Sequence, residues 1–205
     1  MSEAGPLTLA DIADQRAYER ERDEFRRAVI EVKKLRRVSI GPVITITFEN
    51  RLTMRFQVQE MARAERMFSD KQIQGELDVY NRLLPEPGEL SATLFLELTN
   101  DELLREWLPK LVGIEEAVEF RIGQPGTEDV VRSVPEAEHA SHLTRETVTS
   151  AVHYIRFRFT EAQIAAFADG PVVLAVSHLQ YPDGASGTEL SGAARSELLK
   201  DLRGE

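Results

Sequence analysis

The spacing of apolar residues changes once near the start of the chain. Phe25, Ala28, Val29, Val32 and Leu35 recur at helical spacing, while Arg, Glu and Asp fill most positions from Arg16 to Glu31. This is the pattern of a helix with one apolar stripe. Thr8 and Asp11 have capping-box spacing, so a helical arm is predicted over residues 8–37. From Val38 the period is two. Ile44, Ile46 and Phe48 alternate with Thr45, Thr47 and Glu49, and Leu52, Met54, Phe56 and Val58 alternate with Thr53, Arg55 and Gln57. A β-hairpin connected through Asn50 to Leu52 is predicted, with Phe48 opposite Met54 and the polar residues on the other face.

Helical spacing returns in Met61, Ala64 and Phe68 and again in Ile73, Leu77 and Tyr80, and it ends at Pro85-Glu86-Pro87-Gly88. Strand-like runs over 90–98, 117–122, 130–134, 147–159 and 172–179 are then interleaved with helical segments over 101–111, capped by Asn100, over 161–168 and over 191–202. The Gln124 to Thr127 turn joins its neighbours antiparallel. The expected fold is α+β: a mostly antiparallel sheet, helices on one face and a long N-terminal helix, in a single domain over 1–205 with 8–37 packed on it or extending from it. Phe25, Val29, Val32, Phe48, Met54, Phe56, Phe95 and Trp107 are the expected core residues.

Composition narrows the chemistry. The 205 residues are 42% hydrophobic and 29% charged, a balance that supports a folded core. Cysteine is absent, which removes thiol nucleophiles, thiolate metal sites, iron–sulfur ligation and disulfides. A net charge of -10 disfavours nucleic-acid phosphates and anionic membranes as partners. The basic run Lys33-Lys34-Leu35-Arg36-Arg37 does not reverse this, because cations at a helix C-terminus complement its dipole and residues 1–37 balance nine basic against eight acidic side chains. The longest uncharged run, 170–182, has 13 residues and is too short to span a bilayer. With no secretory pattern at the amino terminus, a cytoplasmic location is expected. Neither G-x-G-x-x-G, a P-loop, G-x-S-x-G nor H-E-x-x-H occurs, and no cofactor is expected.

Two regions concentrate polar chemistry. His139 and His142 lie among Glu136, Glu138 and Glu146; without a third ligand at fixed spacing this reads as a solvated acidic loop, not a metal site. His153 shares parity with Ile155 and Phe157 and reads as a hydrogen-bonded residue at the core edge, and His178 reads as structural. The densest segment is Arg55 to Arg66, where the hairpin is expected to pass into a helix. Arg55, Gln57, Gln59, Glu60, Arg63 and Arg66 are the candidate ligand-binding residues there, suited to a carboxylate or phosphate at a helix N-terminus. Their alternative role is an internal ion-pair network.

The strings Phe48-Glu49-Asn50-Arg51, Phe56-Gln57-Val58-Gln59-Glu60-Met61 and Gly88-Glu89-Leu90-Ser91-Ala92-Thr93-Leu94-Phe95, with Tyr80-Asn81, Leu7 to Ile12 and Leu108 to Glu115, resemble an uncharacterised bacterial family of unknown function across nearly the whole chain. The resemblance implies cytosolic bacterial proteins whose genes often neighbour rubrerythrin and a heterodisulfide-reductase-like iron–sulfur protein; it brings no catalytic residue. That gene context, together with the lack of cysteine, a nucleotide loop and a specific metal motif, leads to the expectation of a non-catalytic accessory or interaction protein in peroxide or redox defence, with a protein partner in a rubrerythrin-associated system or a homo-oligomer. The rival reading is a small-anion-binding enzyme.

Overall fold

The computed structural model describes residues 5–136, 148–181 and 187–205. The fold is α+β, with two antiparallel sheets where the pattern had suggested one. The first contains β1 (Arg37–Ile40), β2 (Ile44–Glu49), β3 (Glu89–Leu96), β7 (Val152–Arg158) and β6 (Val134–Pro135), in the order β1-β2-β3-β7-β6. The second contains β5 (Asp129–Arg132), β4 (Val118–Ile122), β8 (Val172–Val176) and β9 (Gly187–Glu189), in that order. The single run expected over 130–134 is thus split between sheets, with Ser133 between β5 and β6.

Strand alternation sets what each face does. Ile46, Leu94 and His153 are in register, as are Phe48, Ala92 and Ile155, and the apolar members of these rows meet Val118, Phe120, Leu174 and Val176 of the second sheet in one buried cluster. Phe120 is the hub, with ring centroids 4.8 Å from Phe157, 5.7 Å from Phe48 and 5.8 Å from Phe167. Helices α4 (Asp101–Lys110), α5 (Glu161–Asp169) and α6 (Gly192–Arg203) add Trp107, Phe167, Leu198 and Leu202 to this cluster. At the β1–β2 turn Gly41 has φ +58, and a Cβ there would lie 2.6 Å from the hydroxyl of Tyr181, which donates to the Ile40 carbonyl.

The long helix α1 spans Gln15–Arg36, capped by Asp14; the Thr8–Asp11 box instead caps a separate short 3-10 turn, Leu9–Asp11. The larger correction concerns 51–64. The expected second hairpin strand is helix α2 (Arg51–Ala64), whose N-cap Asn50 accepts from the Thr53 amide while the Thr53 hydroxyl accepts from the Asn50 amide. Met54, Val58 and Ala62 form its buried stripe at i, i+4 spacing. With α3 (Asp70–Tyr80), α2 lies over the outer face of the first sheet, where Met54, Val58, Leu77 and Leu83 form a second apolar cluster against Tyr80 and Tyr154. Of the expected core, Val29, Phe48 and Met54 are buried; Phe25, Val32, Phe56, Phe95 and Trp107 are only half-buried.

Candidate functional site

The six polar residues of 55–66 do not converge. Five of them occupy successive turns of α2 and Arg66 lies just past its end, so the strand parity that grouped Arg55, Gln57 and Gln59 does not exist. The helix N-terminus lies back at Arg51, which leaves Arg63 in the last turn, where the dipole repels anions. Arg55 donates to the Asp11 carbonyl at 2.7 Å and stacks on Phe25. Gln59 closes a two-way bridge with Ala13, accepting from its amide and donating to its carbonyl, each at 2.9 Å. Glu60 accepts from Arg22 twice at 2.8 Å and from the Tyr18 hydroxyl at 2.6 Å, and Arg63 donates to Glu19 at 2.6 Å. Arg22, then Tyr18, hold the Glu60 carboxyl below its ordinary range against the pull of burial. Arg66 is exposed in the left-handed region at φ 53. Four of the six therefore bind the N-terminal segment and α1 to α2.

Gln57 is the exception. It lines a hollow of about 240 Å³ between the outer face of the first sheet and the helices above it. The floor carries Thr47 and Glu49 from β2, Thr93 and Phe95 from β3, and Val152 and Tyr154 from β7; Met54, Tyr80 and Leu83 cover it, and Lys33 and Arg37 stand at its side. Every residue of β2 is buried, although its sequence alternates as though one face met water. Helices α2 and α3 provide that cover.

Glu49 is the unusual group. It is 5% exposed, and its Oε1 accepts from the Thr93 hydroxyl at 2.7 Å, while its Oε2 is buried without a hydrogen-bond donor. Such an acceptor left unpaired costs about 1–3 kcal/mol. Around it, burial pushes the Tyr80 and Tyr154 phenols up, with Glu49 adding to both shifts, so both hydroxyls stay protonated; Tyr80 is also hydrogen-bonded to Gln57. Arg37 pairs with Glu97 at the surface, and Lys33 Nζ lies 6.0 Å from the centre of the Phe56 ring.

The histidines lie elsewhere. His153 is buried with Nε2 2.9 Å from both the Thr149 hydroxyl and the Ser150 carbonyl, and burial pulls it below its ordinary value. His178 donates to the Val112 carbonyl at 3.0 Å. His139 and His142 lie outside the described residues. Among the described residues no group of three or more potential metal ligands assembles, and no helix is long and apolar enough to cross a membrane.

A family model described as Protein of unknown function (DUF3501) matches residues 6–202. The chain belongs to the DUF3501 family. A crystal structure of a novel protein of unknown function from Burkholderia pseudomallei K96243 is similar to this DUF3501 chain, with 34% identity and a TM-score of 0.86 over 97% of this chain and 100% of the other. No curated protein matches this DUF3501 chain. The match over 6–202 takes in every residue that lines the hollow.

Proposed function

We propose that this protein binds a small polar organic molecule in the hollow over the first sheet. The observation that carries the reading is the buried Glu49 carboxylate, one oxygen of which lacks a donor beside a cavity of about 240 Å³ lined by both polar and apolar side chains. Buried acceptors are ordinarily satisfied, and a bound molecule with an N–H or O–H supplies the missing partner. The small-anion reading of Arg55, Gln59, Glu60 and Arg63 has less support, since each is already engaged with a backbone or side-chain group. A role as a cytosolic accessory protein in bacterial redox defence rests on the gene context of the family resemblance; binding a small molecule is compatible with it.

Methyl-labelled protein tests the site. Pools of small polar metabolites should include at least one that shifts the Met54, Leu83 and Val152 methyl signals while leaving Val172 and Leu198, on the far cluster, unmoved. If no pool moves the first three, the hollow is not a binding site.

A further inference from the structure

The hollow is electrically polar along its length. Arg37 is paired directly with Thr47 across β1 and β2, and Glu49 lies two residues further along the same face of β2. At about 3.4 Å per residue, the backbone positions of Arg37 and Thr47 are offset from that of Glu49 by about 7 Å along the strand, with the cations at one end and the carboxyl at the other. Lys33, in the last turn of α1, adds to the cationic side. Between the two ends the surface is mixed, with Thr47 and Thr93 hydroxyls on the floor and Met54, Phe95 and Val152 supplying apolar walls.

We infer that the occupant is a compact zwitterion, an amine at one end and an acidic group at the other, with the amine against Glu49 and the acid toward Lys33 and Arg37. This rests on the hollow being a binding site and adds the class of ligand. An ammonium has three donors and no acceptor, so it can satisfy Glu49 while its remaining protons meet the hydroxyls of Thr47, Tyr80 or Tyr154. Placed there, it also supplies the donor that the buried Oε2 of Glu49 lacks, while Oε1 keeps its bond from the Thr93 hydroxyl. The acidic end meets cations near solvent: Arg37, which is shared with Glu97, and Lys33, which is held near the Phe56 ring. The short apolar stretch between them fits a chain of a few methylenes and disfavours a compact dianion.

The probes are δ-aminovalerate and ε-aminocaproate, with pentylamine and valerate as their one-ended counterparts, titrated while the Met54, Leu83 and Val152 methyl signals are followed. The better zwitterion should bind at least about tenfold more tightly than either counterpart, the effect of one extra charge-assisted contact. Glu49→Gln should remove that advantage over valerate. Lys33→Gln, at a residue that is not part of the core, should weaken the zwitterion and valerate by several-fold and leave pentylamine unchanged. If a metabolite pool shifts these methyl signals but an uncharged or singly charged compound binds there as tightly as the zwitterions, the ligand class is wrong and the binding site stands. If neither pools nor probes shift them, both fall. Zwitterion binding that Lys33→Gln leaves intact also overturns the assignment of the two ends.

Discussion

Arg36 is the last residue of α1 and is 0% exposed, so its removal probes a fully buried charge held by several partners. Its Nε donates to the Phe48 carbonyl at 2.9 Å and its Nη2 to the Glu49 carbonyl at 3.1 Å; Nη1 reaches Glu197 at 3.2 Å, and Asp201 completes the set. Substituting Met keeps the buried stem and deletes the charge, which leaves Asp201 and two carbonyls without this donor, while Glu197 keeps only Lys200. Breaking a buried pair from one side costs about 3–5 kcal/mol, a large share of the roughly 5–15 kcal/mol that holds a domain folded. The loss should depend on pH. Burial pushes the Asp201 carboxyl up despite Arg36, so its contribution to stability is present below its ordinary 3.8 and is lost as pH rises through the raised value. Without Arg36 only Lys200 opposes that shift, and the penalty should be largest near neutrality and shrink in acid. Urea midpoints followed by Trp107 fluorescence, at about pH 7 and about pH 5, measure both effects. A deficit under about 1 kcal/mol at neutrality, or one that does not shrink in acid, would refute the reasoning.

Phe120→Ala should cost about 3–5 kcal/mol, whereas Phe56→Ala, at a half-buried ring packed 5.8 Å from Phe25, should cost about half that; urea titration reporting the reverse order would undo the core assignment. Glu60→Gln should destabilise by about 1–2 kcal/mol near neutrality, a figure reduced because about a quarter of each side chain in the Arg22 pair is exposed. The folded Glu60 carboxyl is held low, chiefly by Arg22, so its contribution is present above its ordinary 4.5 and lost as pH falls through the lowered value. Melting curves of the two proteins should therefore converge in acid, and a gap that persists there contradicts the pairing.

The α+β class and the helices over 101–110, 161–169 and 192–203 are legible because capping residues and apolar spacing agree there: Asn100, Thr160 and Ser191 each accept from an amide three residues on. Region 51–64 misleads because Leu52, Met54, Phe56 and Val58 satisfy a period of two while Met54, Val58 and Ala62 also satisfy i, i+4. Asn50 and Thr53, a reciprocal cap, are what decide for the helix. The error also hides the hollow. Thr47 and Glu49 read as a solvent face only while α2 is taken for a strand beside them; once it is a helix above them, the same polar residues are buried. Polar alternation on two neighbouring strands, Thr47 and Glu49 with Ser91 and Thr93, with an amphipathic helix between them in the chain, was the available signal. Lys33, Tyr80 and Tyr154 come from distant segments, and no local pattern places them together.

The guanidinium of Arg36 also orders events in time. Asp201 is synthesised 165 residues after Arg36, which at ribosomal rates of about 5–20 residues per second is a delay of roughly 10–30 s. During that interval the residues of α1, β2 and α2 are already synthesised, yet the cation where they meet lacks both carboxylates. That junction is completed only when α6 leaves the ribosome and supplies Glu197 and Asp201.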